Sequence, residues 1–143
     1  MADPSRLARA VQLVARGLGK VGRERAHAND ITPQQADAIE LFESRGTLST
    51  STLAELLGID PSTASRNLAG LERAGLIARK RDGEDGRQTE VRLTTKGKRV
   101  AESLSAETLR AFSVLLVRVA QAERVPVTEA FEVLARAVTS TEQ

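Results

Sequence analysis

The sequence predicts a mainly α-helical protein with one small β hairpin, which places it in the α+β class. Apolar residues recur at helical spacing along most of its 143 residues. Two short alternating segments flank a turn that is rich in glycine and acidic residues. Capping residues and glycines separate the helices from one another. The expected order is two helices, a short strand, two helices, two strands and two helices.

Two helices and a short strand begin the chain. Residues 5–27 form a helix whose apolar residues fall on one face, at Leu7, Val11, Val14, Leu18 and Val21. In "ITPQQADAIELF", Thr32 is a helix cap, Pro33 suits the first turn, and Gln35 completes a capping box. Gly46 ends this second helix, and "TLS" forms the strand. The apolar face of the first helix needs a partner.

Residues 49–75 predict a helix-turn-helix. Ser49 caps the first helix of the pair, "TSTLAELLG", and Gly58 closes it. Asp60 caps the second helix, the proline after it suits the first turn, and Gly75 stops the helix. Two helices joined by a tight turn that contains glycine are the pattern of this motif.

The second helix of this pair has two contrasting faces. Ala64, Leu68 and Leu71 are spaced so that they point toward the core. The other face is small, polar or basic and consists of Ser62, Ser65, Arg66, Ala69, Gly70 and Arg73. An ordinary surface helix carries long charged side chains there. Short side chains let the helix backbone come close to another surface, which is either DNA or a protein.

A β hairpin and two more helices complete the predicted fold. "LIARKR" and "QTEVRLT" form the strands, and "DGEDG" forms the turn between them. A hairpin after a helix-turn-helix is a wing, and residues 79–81 give it the densest basic run in the chain. Thr94 begins a long helix that Pro126 breaks. The last helix repeats the one-sided apolar pattern, at Val127, Phe131, Leu134 and Val138.

Composition and motifs exclude most other classes of function. The chain has no cysteine and one histidine, His27, so it lacks the ligands of an ordinary transition-metal site and a catalytic triad. "GLGKVG" fits the dinucleotide fingerprint, but its glycines lie inside helical periodicity, where close packing or a bend explains them better. We therefore expect no enzyme activity and no cofactor. No apolar run suits a membrane or a secretion signal, so we expect a cytoplasmic protein without a membrane partner.

The motifs of the central region resemble those of the multiple-antibiotic-resistance regulator (MarR) family of winged helix-turn-helix transcription factors. The similar segments are "ITPQQADAIELF", "LAELLGIDPSTASRNLAGLERAGLIARKRD" and "DGRQTEVRLTTKG". The last one matches the wing pattern D-x-R-x5-L-T-x-x-G through Asp85, Arg87, Leu93, Thr94 and Gly97. The resemblance implies a DNA-binding region at residues 31–97 within one compact domain. Residues 1–30 and 98–143 would supply the dimerisation helices.

The resemblance also implies roles for individual residues. The helix that enters the major groove would present Ser62, Thr63, Ser65 and Arg66. Arg87 at the wing tip would enter the minor groove, and Asp85 would orient it rather than touch DNA. Lys80 and Arg81 would follow the phosphates.

The function implied is that of a homodimeric repressor on a pseudo-palindromic site, released by a small-molecule effector. The apolar stripes of the end helices have no other evident partner, so the predicted dimer interface contains Leu7, Val11, Val14, Phe131, Leu134 and Val138. Phe42 and Phe112 are candidates for an effector pocket. The alternative is a winged-helix module that binds a protein through its basic wing and has no specific DNA site.

Overall fold

A computed structural model of the protein describes residues 1–82 and 88–140. It contains the predicted elements in the predicted order, so the predicted fold class is confirmed. They are α1 (Pro4–Ala28), α2 (Pro33–Arg45), β1 (Leu48–Ser49), α3 (Thr50–Leu57), α4 (Pro61–Arg73), β2 (Ile77–Asp82), β3 (Gln88–Leu93), α5 (Thr95–Val117) and α6 (Arg124–Thr139). A short 3-10 turn at Gln121–Glu123, which the sequence analysis did not predict, precedes α6.

The chain forms two compact units, Met1–Thr108 and Leu109–Gln143, with the boundary inside α5. The first unit contains an aliphatic core in which α2, α3, α4 and the sheet meet. The largest fully buried side chains of this core are Ile39, Leu53, Leu68, Leu71, Val91 and Leu104. Burying aliphatic side chains of this size stabilises a fold by about 1.5–3 kcal/mol each. The core therefore fixes the positions of the helix-turn-helix and of the wing base.

The helix caps predicted from the sequence are confirmed. Thr32 and Gln35 form the complete capping box at the start of α2. The Ser49 hydroxyl accepts the backbone N–H of Thr52, and the Asp60 carboxylate accepts that of Thr63. Ser49 is also the last residue of β1, so the sheet and the helix-turn-helix share this residue.

The sheet has three antiparallel strands in the order β1-β3-β2. β3 is central because it pairs with β1 through Leu48 and Val91, and with β2 through Ile77 and Leu93. These four side chains are buried and form the inner face of the sheet. The alternating positions form an outer face with Ala78, Lys80, Glu90 and Arg92.

The start of α5 packs directly on the turn between α4 and β2. Thr94 N donates to the carbonyl of Leu76 at 3.0 Å, and Thr94 Oγ1 donates to the carbonyl of Gly75 at 2.6 Å. The same hydroxyl accepts the backbone N–H of Gly97 at 3.0 Å, while Lys96 Nζ donates to the carbonyl of Ala74 at 2.9 Å. This α4–α5 junction satisfies the carbonyls of the turn that follows α4.

Arg25 connects three helices of the first unit. Its guanidinium contacts Glu40 of α2 at 2.5 Å, and Thr108 Oγ1 and the Leu104 carbonyl of α5 at 2.6 and 3.3 Å. The Arg25 side chain is only 14% exposed, so these contacts replace most of its water. The sequence pattern gave no signal for this residue, because helical periodicity identifies apolar faces rather than buried polar contacts.

The prediction that Pro126 breaks a long helix is wrong. α5 already ends at Val117, and Pro126 lies in the first turn of α6. Backbone N–H groups in a first turn have no partner within the helix, so proline costs little there.

The glycines of "GLGKVG" lie within α1, which runs through them without a preceding strand, as the sequence predicted. Apart from the adjacent residues and the nearby backbone of α1, no described atom lies within 4 Å of a β-carbon built on Gly17 or Gly22. Packing within the chain therefore does not explain these two glycines.

Gly97→Ala is expected to destabilise the protein by about 1–3 kcal/mol, because overpacking displaces the backbone. A β-carbon at this position would lie 2.0 Å from the Leu76 carbonyl oxygen, inside the α4–α5 junction. Gly22→Ala is the matched control, with an expected gain of about 1 kcal/mol from helix propensity. The measurement is urea unfolding followed by circular dichroism. Equal stability of the Gly97→Ala variant and the native protein would contradict the tight contact.

Candidate nucleic-acid interface

The face of α4 that the sequence singled out is exposed along its first two turns. Ser62, Ser65 and Arg66 are exposed, while Thr63 is partly buried. The opposite side of the helix is buried at Ala64, Leu68 and Leu71, as predicted. The structure thus brings the four predicted groove residues together at one end of α4.

Asp60 organises the start of this helix. Its Oδ1 accepts the Thr63 backbone N–H at 2.9 Å and the Ser62 hydroxyl, and its Oδ2 accepts the Thr63 hydroxyl at 2.6 Å. The hydrogen bonds from the Ser62 and Thr63 side chains, followed by that from the Thr63 backbone, hold the pKa of Asp60 far below its usual range. Asp60 therefore carries a full negative charge at neutral pH, beside the groove residues.

Arg66 is oriented by a neighbour on the same helix. Its Nη2 donates to Thr63 Oγ1 at 3.2 Å. Thr63 Oγ1 thus donates to Asp60 and accepts from Arg66, and its hydroxyl hydrogen is fully used within the helix. The remaining guanidinium donors of Arg66 stay available on an exposed side chain.

Two glutamines of α2 hold α4 from behind. Gln34 Oε1 accepts from Asn67 Nδ2 at 3.0 Å, and Gln35 Nε2 donates to the Asn67 carbonyl at 3.4 Å. A β-carbon on Gly70 would come within 2.7 Å of Gln35 Nε2. The capping box signalled Gln35 in the sequence, but nothing there signalled its second contact.

Gly70 therefore belongs to the contact between α2 and α4, and its assignment to the open small-residue face is wrong. Gly70 and Ala69 are both partly buried. Helical periodicity placed Gly70 at the edge of the open face, but Gln35 of α2 lies against it.

The wing presents Lys80 on the outer face of the sheet. Lys80 is exposed and pairs in register with Glu90, so an acidic residue of β3 lies beside it. Arg79 lies on the other face of β2, and its Nε forms a 2.7 Å ion pair with Glu72 of α4. Of the three cations in the basic run, one is therefore used to fasten the wing to α4.

The other predicted wing residues remain untested. Asp85 and Arg87 lie outside the described residues. Arg81 lies in β2, where it pairs with Thr89, and nothing further is described for its side chain.

The two predicted pocket phenylalanines have different surroundings. Phe42 is 2% exposed within the core of the first unit. It also lines an open cleft of about 800 Å³ between α2, the outer sheet face and the start of α5, together with Glu43, Arg92 and Lys98. Phe112 belongs to the second unit, where its side chain is 40% exposed. An effector pocket built from both stays a prediction.

The predicted dimer residues are largely accessible in the single chain. Leu7, Val11, Phe131 and Val138 are exposed, while Val14 and Leu134 are partly buried.

The second unit has no core of its own in the part that the structure describes. None of its residues up to 140 is buried. Its exposed large apolar side chains are Leu109, Phe112, Val114, Leu115, Val117, Val125, Phe131, Val133 and Val138. A surface this rich in apolar groups marks an interaction site.

Two other kinds of site were sought in residues 1–82 and 88–140. No group of three or more His, Asp or Glu side chains there is placed to hold a metal ion. No helix in the same ranges is long and apolar enough to cross a membrane.

Comparison with known sequences finds a family model that matches the central region. Residues 29–88 match the model of the MarR family. The HTH-type transcriptional regulator YdgJ of Bacillus subtilis (strain 168) is 33% identical over 94 residues, which cover 66% of this chain and 57% of YdgJ. FarR of Neisseria gonorrhoeae, also an HTH-type transcriptional regulator, is 33% identical over 78 residues, 54% of this chain and 53% of FarR. The chain thus matches little more than half the length of these curated relatives.

Solved structures show the same fold over nearly the whole chain. A MarR family protein from Bacillus stearothermophilus superposes with a TM-score of 0.85 and 27% identity, covering 94% of each chain. The S. aureus MepR–DNA complex has a TM-score of 0.73 and 19% identity, covering 92% of this chain and 97% of MepR. The proteins similar in sequence are transcriptional regulators rather than enzymes, which supports the predicted absence of enzyme activity.

Acid is expected to remove the stabilisation that Asp60 provides. Because folding lowers the pKa of Asp60, its contribution is complete above the ordinary carboxyl pKa of 3.8 and declines as the pH falls below that value. Thermal unfolding of the native protein and of Asp60→Asn, measured between about pH 2.5 and 6, should show the stability difference shrinking toward acid. Asparagine keeps the helix cap but cannot titrate. A difference that does not change with pH would contradict the role of the charge.

Proposed function

We propose, from the match of residues 29–88 to the MarR family model, that the protein is a sequence-specific DNA-binding transcriptional regulator. The observation that carries the proposal is the exposed start of α4, where Ser62, Ser65 and Arg66 stand on one side of a helix that α2 holds from behind. A rigid support of this kind is what a base-reading surface requires.

The shape of this surface suits the major groove of B-DNA. The groove admits one α-helix, and residues in the first turns of the helix reach the base edges. The side chains at the start of α4 are short, so the backbone can approach closely. Arg66 has free donors that match the O6 and N7 acceptors of guanine.

The wing supplies contacts that do not depend on sequence. Lys80 is exposed beside α4 and would bind a phosphate, with Arg81 next to it along β2. Arg87 would insert into the minor groove from the wing tip, where narrow A·T-rich segments concentrate negative potential, and Asp85 would orient it. The family resemblance alone supports the roles of Asp85 and Arg87.

We propose a homodimer because a second copy of the chain would bury apolar surface that the single chain exposes to water. The end helices carry Leu7, Val11, Val14, Phe131, Leu134 and Val138, and the second unit buries none of its described residues. Two-fold symmetry would place two copies of α4 on a pseudo-palindromic site.

Repression by steric block of a promoter is the mechanism proposed for the dimer. A small molecule would release the dimer from DNA by changing the distance between its two α4 helices. Phe42 and Phe112 are candidates for contact with this molecule. MepR, which shares the fold, has been solved in complex with DNA, and this supports a DNA-bound state for the present chain.

The direct test is fluorescence anisotropy on DNA from upstream of the protein's own gene, with random DNA as the control, over a series of salt concentrations. Binding at least about 10³-fold tighter to the upstream fragment, with affinity falling steeply as salt rises, supports the proposal. Absence of binding to either DNA at low salt would instead favour a winged-helix module that binds protein.

Arg66→Ala and Lys80→Ala are expected to weaken DNA binding in different ways. Arg66→Ala should cost about 1–3 kcal/mol on the specific site and little on random DNA, because it removes a base contact. Lys80→Ala should weaken binding to both and reduce the salt slope by about one, because it removes a phosphate contact. Anisotropy titrations measure both effects. Equal losses on specific and random DNA for Arg66→Ala would contradict base reading.

Val11→Glu is expected to weaken the dimer by at least about tenfold, because a carboxylate on the apolar stripe of α1 would have to be buried without a partner. Leu13→Glu is the matched control, since Leu13 is also exposed but lies away from the stripe. Sedimentation equilibrium measures both dissociation constants. A native protein that stays monomeric at micromolar concentration, or equal effects of the two variants, would contradict this interface.

A further inference from the structure

We propose that the first turn of α4 selects adenine or cytosine on the strand that Ser62 faces, because Asp60 takes the hydroxyl hydrogen of Ser62 and leaves Ser62 only as an acceptor. This inference rests on the proposed function and specifies which bases the helix reads. Ser62 would pair with N6 of adenine or N4 of cytosine.

The polarity of Ser62 follows from its contact with Asp60. A serine hydroxyl has one hydrogen to donate and two lone pairs. In α4, Ser62 Oγ donates this hydrogen to Asp60 Oδ1. An ionised carboxylate accepts hydrogen bonds and cannot donate them, so the direction of this bond is fixed. What the exposed oxygen of Ser62 can still offer to a ligand is a lone pair.

The contact is strong enough to persist when a ligand approaches. Hydrogen bonds to an ionised group are about twice as strong as bonds between neutral groups. The carboxylate is itself held in place by the backbone N–H of Thr63 at 2.9 Å and by the Thr63 hydroxyl at 2.6 Å. Turning the Ser62 hydroxyl toward DNA would therefore give up a charge-assisted bond for a neutral one.

This polarity excludes the phosphates as partners of Ser62. Phosphate oxygens only accept hydrogen bonds, and the negative charge of Asp60 opposes their approach. In the major groove the available donors are the amino groups of adenine and cytosine, whereas guanine and thymine present acceptors. An acceptor at position 62 thus discriminates between the two strands of a base pair.

Thr63 and Arg66 complete the arrangement. Thr63 uses its hydroxyl to join Asp60 to Arg66, so it positions the guanidinium. Ser62 and Arg66 are four residues apart, on one face of the helix. The surface therefore offers an acceptor at Ser62 and donors at Arg66, one helical turn away.

The test begins with selection of bound duplexes from a pool with a randomised central segment, using the full-length protein. The enriched duplex is then made with single base analogues that lack only the amino group, purine for adenine and pyrimidin-2-one for cytosine. At one position, this deletion should weaken binding of the native protein about fivefold. For Ser62→Ala the same deletion should cause no further loss, since the partner atom is already absent.

Two more variants separate polarity from simple contact. Asp60→Gly is tolerated at a helix cap and removes the carboxylate, so the Ser62 hydroxyl hydrogen is released. Selection with this variant should lose the preference for adenine or cytosine at the position read by Ser62. Ser65→Ala is the matched control, because no described residue fixes the Ser65 hydroxyl in the same way; it should leave the effect of the amino deletion at that position unchanged. Circular dichroism confirms that each variant is folded.

The outcomes distinguish the inference from the function on which it rests. An enriched sequence whose amino deletion is coupled to Ser62, with altered selection by Asp60→Gly, supports the inference. Two results would overturn the inference and leave the regulator function in place. In one, Ser62→Ala does not change the affinity for the enriched duplex. In the other, Ser62→Ala lowers the affinity for the native and the amino-deleted duplex by the same factor. A pool that shows no enrichment at all overturns both.

Discussion

The position of α4 depends on the α4–α5 junction, where Thr94 and Gly97 meet the carbonyls of Gly75 and Leu76. Both wing strands leave from this point, because β2 begins directly after Leu76 and β3 ends directly before Thr94. The threonine hydroxyl donates to one segment and accepts from the other, so neither hydrogen bond can be replaced by an aliphatic side chain of the same shape. The absence of a side chain at Gly97 allows the contact. A short sequence motif therefore fixes the angle between the helix and the wing.

The chemistry at the exposed end of α4 depends on this support. The side chains that would face DNA are short, and each gains or loses an interaction over a few tenths of an ångström. Asn67 binds two glutamines of α2, and Arg79 of the wing binds Glu72, so α4 is held from two sides. With the helix body fixed, the Asp60 carboxylate can set the direction of individual hydroxyl groups. Selectivity at this surface thus depends on Asp60, which orients the residues that would contact a ligand.

The sequence predicted most of the local structure and less of the packing between elements. Caps at Thr32, Ser49 and Asp60 were predictable because each is a hydrogen bond between neighbours in the chain. Gly70 was misassigned because the neighbour that covers it, Gln35, lies on another helix. Pro126 was misread because proline suits a first turn as well as it breaks an interior, and the sequence does not say where a helix starts.

Ser49 connects the sheet directly to the helix-turn-helix. It ends β1 and caps α3 at the same time, so no linker residue separates the sheet from the helix-turn-helix. At the C-terminal end of α4, the α4–α5 junction connects the helix directly to β2 and β3. The helix-turn-helix and the wing base are therefore connected without an intervening linker at either end. These direct connections set the distance between α4 and the wing strands.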